Sequence, residues 1–464
     1  MNAATRTETD SFGPIEVPAD ALWGAQTARS LQFFAIGEQR MPLPIIHAIA
    51  SIKWAAACVN RDLHLLDPTV AQAIARAALR VAAGEFDAEF PLSVWQTGSG
   101  TQSNMNVNEV VATLATRALT AVDARAKRVH PNDEVNLGQS SNDVFPSAMH
   151  LAIALQERQA LRPALQGLRA ALRDKAIAFK SVVKVGRTHL QDATPVTLGQ
   201  EFGGYDAQLA LCEVALHHAL AALYTLAIGG TAVGTGLNTH PEFGSRVAAM
   251  LARHIDLPLV QADNLFAAMA GHEALVAFHA ALKMLAIALT KIGNDIRLMG
   301  SGPRAGLSEL RLPQNEPGSS IMPGKVNPTQ VEALAMVCAQ VLGHDTAIGF
   351  AASQGQFELN VGKPLIALDT LASIGLLADA MRSFTQHCVA GIEVDETRVA
   401  QLLQGSLMLV TALAPHIGYD LAAKVAKHAQ AENIGLREAA LALGAVSAEQ
   451  FDAWVDPRQM LGPR

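Results

Sequence analysis

The strongest constraint on this chain is a three–four alternation of large apolar residues sustained through three long segments. Leu198, Phe202, Tyr205, Leu209, Cys212 and Leu216 step by four and three; Leu275, Phe278, Leu282, Leu285, Leu289, Ile292 and Ile296 repeat the pattern, as do Val331, Leu334, Cys338 and Val341. Such spacing places the side chains on one stripe of an α-helix and keeps that stripe against a nearly parallel neighbour. Ala, Val and Ile fill many positions outside the stripe, so these helices are apolar on more than one face. A single layer of three helices would leave the second face in water, which predicts a bundle core shared between copies of the chain.

Thr194-Pro195 is expected to cap and start the first helix, Gly229-Gly230 to stop it, and Asn327-Pro328 to cap the third. Leu161, Leu165, Leu168 and Leu172 predict a shorter helix, with Pro163 marking a break between helices. Before Ser140 the chain mixes short helical patterns with irregular segments rich in Gly, Pro and Asn; from about Val394 it turns ordinary and amphipathic. The expected fold is all-α, divided into an N-terminal mixed helical domain (1–139), a central helical bundle domain (140–395) and a small C-terminal helical domain (396–464).

With 464 residues, half of them apolar, the chain can bury a large core. A formal charge of −7 leaves no general basic footprint for nucleic acid. Cys58, Cys212, Cys338 and Cys388 are scattered without a CxxC pair, so no cluster or zinc site is signalled. Two disulfides are formally possible, but free thiols in a reducing compartment suit a chain of this length better. The N-terminus lacks the apolar stretch of a secretory signal. No apolar run approaches the roughly 18 residues of a membrane span, so a soluble, cytoplasmic protein without a membrane partner is expected.

Cofactor motifs fail on spacing. Gly234-Thr235-Gly236 lacks the third glycine of a dinucleotide fingerprint, Gly98-Ser99-Gly100 lacks the lysine of a P-loop, and His272-Glu273 has Val276 where HExxH needs its second histidine. No metal and no cofactor are expected, which leaves the chemistry to side chains.

Five polar segments interrupt the apolar chain. Thr97 to Asn106 (TGSGTQSNMN), containing Ser99, Gly100 and Thr101, offers hydroxyls, amides and backbone donors suited to carboxylate oxygens; a solvated turn is the plainer alternative. His130-Pro131-Asn132-Asp133 leads to Ser140-Ser141-Asn142-Asp143, where a helix start can attract an anion or simply be capped. Gly186 to Pro195 (GRTHLQDATP) holds Thr188 and His189, and a histidine there can transfer protons near neutral pH or be structural. Gly229 to Thr239 reads best as a helix stop and turn. Pro317 to Pro328 (PGSSIMPGKVNP), carrying Ser319, Ser320, Lys325 and Asn327, has the Pro and Gly content of a loop that opens and closes over a pocket. Glu332, in the apolar helix that follows, is expected to be buried and to need a partner such as a histidine.

These strings resemble the signatures of the fumarase/aspartase superfamily. GSSIMPGKVNP (Gly318 to Pro328) is similar to its signature, and matching segments run in order from Thr9-Asp10 and Gly13 to Pro18 through Gly418-Tyr419-Asp420. TGSGTQSNMN, HPND, SSND and GRTHLQDATP resemble the class II fumarase versions. His189 discriminates best, because aspartases usually carry Gln there; aspartate ammonia-lyase is the alternative within the superfamily. Glu134 departs from the residues often found after HPND.

The resemblance implies three helical domains with a central five-helix bundle, four of which form a twenty-helix homotetramer. It implies active sites whose regions around Ser99, His189 and Ser319 come from different subunits. The implied reaction interconverts L-malate and fumarate by anti-addition or elimination of water through an aci-carboxylate. Ser319 would be the proton-abstracting base, with His189, oriented by Glu332, protonating the leaving hydroxyl. Lys325 and Asn327 would stabilise the added charge. Ser99, Gly100, Thr101, Ser140, Ser141, Asn142, Thr188 and Ser320, with Lys325 and Asn327, would bind the substrate, and His130, Pro131, Asn132 and Asp133 would form a second dicarboxylate site.

Overall fold

The computed structural model describes residues 4–463 and is predominantly helical. Its β structure is confined to small pairs. Thr5–Asp10 pairs antiparallel with Gly13–Pro18, and Val183–Thr188 with Gln191–Thr197. Two further pairs have strands of two residues each.

The chain divides into two compact units. The first gathers residues up to Pro163 with Glu213–Ala286 and Ala339–Ala378. Its N-terminal part holds longer helices than the sequence pattern suggests: Leu43–Asp62, Pro68–Ala82 and Thr101–Thr120. Leu43–Asp62 buries residues around most of its circumference, so it shows no single apolar stripe. Thr101–Thr120 starts on polar residues that are themselves buried, Ser103, Asn104, Asn106 and Asn108. In the same unit His279 is fully buried, with Nδ1 3.1 Å from Asp345 and Nε2 2.9 Å from Ser373. These contacts tie helix Glu273–Met299 to helices Thr329–Ala352 and Lys363–His387.

The second unit gathers Ala164–Cys212, Ile287–Cys338 and the chain from Asp379 onward. Its C-terminal part has a small core of its own, built on Leu413, Val425, Ala439 and Phe451.

The three periodic segments are helical as expected, over Leu198–Leu223, Glu273–Met299 and Thr329–Ala352, and their stripe residues are buried. Their boundaries differ from the expectation. Thr194 and Pro195 do not start a helix; they belong to strand Gln191–Thr197, where Pro195 pairs opposite Val185 beside a β-bulge. The helix starts three residues later. Thr197 Oγ1 accepts from the Gln200 amide (3.0 Å), and Gln200 Oε1 accepts from the Thr197 amide (2.8 Å), forming a reciprocal capping box. The far end comes at Leu223, because Thr225–Leu226 is drawn into a strand before Gly229 is reached.

Pro163 is not a break either. It is the second residue of helix Arg162–Ala178, which follows Ser141–Gln156 through one wide π-type turn, Glu157–Leu161. Proline lacks the N–H for a regular helical bond and crowds the preceding turn, and local widening relieves both.

The absence of membrane-length apolar segments also needs correcting. Leu43–Asp62, Glu273–Met299, Thr329–Ala352 and Lys363–Gly391 are long and apolar enough to cross a membrane, with mean hydropathies of 1.3 to 1.7. The short unbroken runs hid this, because each segment holds an 18-residue stretch in which at most two charged residues interrupt the run without lowering the average much. In three of them half or more of the apolar stretch is buried within the protein; in Thr329–Ala352 only 22% is.

His150, in helix Ser141–Gln156, donates Nδ1–H to the Thr225 carbonyl at 2.8 Å. Burial pushes its pKa down to about 4, so the folded protein keeps it neutral. An unfolded histidine takes up its proton near pH 6.5. Between those values the unfolded state binds more protons, so stability is present above about pH 6.5 and lost as pH falls toward 4. The expected loss is of the order of 3 kcal/mol. Denaturant melts between pH 7 and 4 should show it, and His150→Gln should flatten the acid limb; an unchanged limb would refute the assignment.

Candidate active site

The first cluster lies in the first unit and joins two helix starts. Gly98 and Gly100 bracket Ser99 for steric reasons. A Cβ on Gly98 would lie 1.5 Å from the Val361 carbonyl oxygen, and one on Gly100 would lie 2.2 Å from the Phe145 ring at φ +75°. Held between them, Ser99 Oγ is 2.7 Å from Thr101 Oγ1, which is 2.8 Å from Ser141 Oγ. This hydroxyl chain runs from the N-terminus of helix Thr101–Thr120 to that of Ser141–Gln156. Helix starts carry unsatisfied N–H groups and the positive end of the dipole, so both favour an anion.

Ser140 caps the second helix, its Oγ accepting from the Asn142 amide (3.2 Å) while Asp143 accepts from the Ser140 amide (2.9 Å). Asn142 Nδ2 donates to the Ala232 carbonyl at 2.8 Å. Ser99, Gly100, Thr101, Ser140, Ser141 and Asn142 are therefore assembled together within one unit.

The second cluster lies in the second unit. Thr188 and Gln191 close a hairpin whose two-residue tip is His189-Leu190, both left-handed at φ +57° and +59°. Turns of this kind normally use Asn-Gly, and each non-glycine residue there costs about 1 kcal/mol or more. His189 is exposed and Leu190 is 73% exposed, so the strained tip is not compensated by local burial.

Its base is anchored electrostatically. Arg187 Nη1 donates to Glu309 Oε2 at 2.9 Å. Buried Lys184 Nζ donates to Glu201 Oε1 (2.9 Å) and lies 3.4 Å from Glu309 Oε2. Burial raises the Glu201 carboxyl pKa while Lys184 opposes the shift.

In the same unit the signature loop is folded on itself. A Cβ on Gly318 would lie 1.6 Å from the Lys325 carbonyl oxygen, and Asn327 Nδ2 donates to the Gly318 carbonyl at 2.6 Å. Asn327 thus closes the loop instead of capping the helix, which starts at Thr329 with the Pro328 carbonyl accepting from Glu332 N (3.1 Å). Ser319 Oγ accepts from the backbone N–H groups of Ile321 (3.3 Å) and Met322 (3.1 Å). Ser320 and Lys325 are exposed.

Glu332 departs from expectation. It is exposed, and among the described residues no hydrogen bond joins it to His189. It lies on a helix that one chain covers poorly: Met336 and Phe350 on that helix are 69% and 71% exposed.

His130 to Asp133 form a tight turn. His130 Nδ1 accepts from the amides of Asn132 (3.3 Å) and Asp133 (3.1 Å), and Glu134 Oε2 accepts from the His130 amide (2.5 Å). His130, Pro131 and Asp133 border a cleft of about 360 Å³ that also takes Lys127 and Arg128. Those two basic residues escaped the motif reading, as did Lys184 and Glu309. For Lys184 the available signal was a charge between valines, Val182-Val183 and Val185; Glu309, flanked by Ser308 and close to Arg311, carried no such signal.

Glu309→Gln should leave Lys184 and Arg187 without their shared carboxylate. Losing one partner of a buried ion pair costs about 3–5 kcal/mol, so the denaturant midpoint should fall and turnover with it. A midpoint matching the parent would show that the hairpin does not depend on this anchor.

Residues 13–343 match the lyase family and residues 409–462 match the fumarase C C-terminus. A class II fumarate hydratase from Chromobacterium violaceum is 62% identical over 99% of this chain and 100% of its own length. One from Thermosynechococcus vestitus is 58% identical over 100% of this chain and 99% of its own. The crystal structure of class II fumarase from Schistosoma mansoni superposes with a TM-score of 0.96 at 45% identity, covering 99% of this chain and 100% of that one. The chain belongs to the class II fumarate hydratases, hydro-lyases of the fumarase/aspartase superfamily.

Proposed function

We propose that L-malate and fumarate are interconverted in a pocket completed by several copies of the chain. The hydroxyl cluster around Ser99 and Ser141 would come from one copy, and the His189 hairpin and Ser319 loop from others. The uncovered apolar face of helix Thr329–Ala352 supports a homotetramer with a shared helical core. In that assembly the chain keeps three domains, 1–139, 140–395 and 396–464, with the five-helix bundle at the centre. The apolar length of the helices would then be used inside the protein, and four free cysteines support a reducing compartment such as the cytoplasm.

The observation that carries the mechanism is Ser319 Oγ receiving two backbone N–H bonds. Serine is a weak base in water, but donors converging on its oxygen favour the alkoxide. The alkoxide takes the proton beside one malate carboxylate, and the electron pair moves onto that carboxylate. Lys325 and Asn327 stabilise the resulting aci-carboxylate. Its collapse forms the double bond and expels hydroxide from the opposite face, where His189 supplies the proton that makes it water.

Ser99, Gly100, Thr101, Ser140, Ser141, Asn142, Thr188 and Ser320 hold the two carboxylates. In this reading Glu332 meets and orients His189 only once copies assemble. His130, Pro131, Asn132 and Asp133, joined by Lys127 and Arg128, form a second dicarboxylate site at the separate cleft.

Purified protein given L-malate should develop fumarate absorbance in the ultraviolet, and light scattering should report four chains. Ser319→Ala and His189→Asn should each lower kcat by about 10²–10⁴-fold with the tetramer intact. Near-parent turnover in either variant would remove that residue from the reaction. Ammonia release from a parallel aspartate reaction would instead indicate aspartate ammonia-lyase chemistry.

A further inference from the structure

Asp143 is a fully buried carboxylate that the mechanism does not use. Its Oδ1 accepts from the Ser140 amide at 2.9 Å, completing the capping box. Capping alone would need only that oxygen. Oδ2 instead reaches a distant part of the chain, accepting from the amides of Gly229 (2.9 Å) and Thr231 (3.0 Å).

The neighbouring Asn142 fastens to the same turn through the Ala232 carbonyl at 2.8 Å. Gly229 and Thr231 both lie at positive φ, +97° and +55°; glycine adopts this freely, but β-branched Thr231 does so only under constraint from its surroundings. Three amide donors on one carboxylate define an ionised acceptor. The basic group facing it is Lys53, whose own burial pushes its pKa down to about 7 and whose Nζ donates to Asn136 (2.7 Å) and Gln139 (3.0 Å). Burial pushes the Asp143 pKa up to about 6 against those donors, so the group remains largely ionised at neutral pH.

We propose that Asp143 is a positioning residue for substrate binding: its carboxylate locks the Ser140–Asn142 helix start to the Gly229–Ala232 turn, fixing the register of the groups presented to a dicarboxylate. The proposal rests on the reading of Ser140, Ser141 and Asn142 as the carboxylate cradle. Asp143 touches no substrate atom; it acts through the residues it holds.

Asp143→Asn keeps the shape but places an NH₂ where one accepting oxygen stood, so only one side of the lock can be retained. In the full-length enzyme, KM for malate and Kd for succinate, a non-reacting dicarboxylate, should rise together by about tenfold or more, with a smaller fall in kcat. A folded variant with both constants within twofold of the parent overturns the proposal. If the variant does not fold, hydrogen exchange of the parent enzyme decides. Saturating succinate should slow exchange in peptides covering residues 229–232, and unchanged exchange there overturns the lock.

Ser141→Ala and Thr101→Val separate the two readings. If they leave succinate binding unchanged, the cradle itself is misassigned. If they weaken it while Asp143→Asn does not, only the lock fails.

Discussion

Everything in this molecule depends on long helices whose apolar surface exceeds what one chain can cover. Helices with a single apolar stripe can complete a fold alone. Here Thr329–Ala352 leaves most of its apolar stretch in solvent, a face that the proposed assembly of several copies would cover. The same rigidity serves the chemistry. Helix starts and the loops between helices are held by a scaffold with little freedom, so small polar groups can be kept in fixed positions.

Each cluster is then secured by a buried carboxylate used for placement. Glu309 holds the base of the His189 hairpin through Arg187 and Lys184, and Asp143 holds the start of helix Ser141–Gln156 against the glycine turn. A buried charge is costly unless its acceptor capacity is filled. Partners that fill it lose their own freedom, and that loss is useful where a site must be preorganised. The strained His189-Leu190 tip shows the complementary device. Its unfavourable backbone persists because the strand pairing and ion pairs beneath it determine its geometry.

Motif residues were more legible than the elements that carry them. Ser140 was readable as a helix cap because the Ser-Ser-Asn-Asp string has the side chains a helix start needs. Thr194-Pro195 has the same local chemistry, yet it lies in a strand because its backbone is paired with Val183–Thr188. Pro163 likewise signalled a break that a wide turn absorbed. Leu43–Asp62 and Thr101–Thr120 were underestimated because one is apolar nearly all round and the other starts with buried amides. Neither displays the one-sided pattern on which periodicity arguments rely.

Sequence alone determined the helical class, because the three–four alternation of residues such as Leu275 to Ile296 is a local property that no tertiary arrangement needs to supply. It also determined the family and the polar strings, because those depend on residue identity and order. Tertiary structure decided which groups meet: that Ser99, Thr101 and Ser141 form one hydroxyl chain, that Asn327 closes its loop instead of capping a helix, and that Asp143 reaches Gly229. It also left Glu332 exposed in the single chain, although its apolar neighbours suggested burial. The physical reason is range. Helical periodicity and capping act over a few residues, whereas buried polar contacts join segments far apart in sequence and exist only after the core has brought them together.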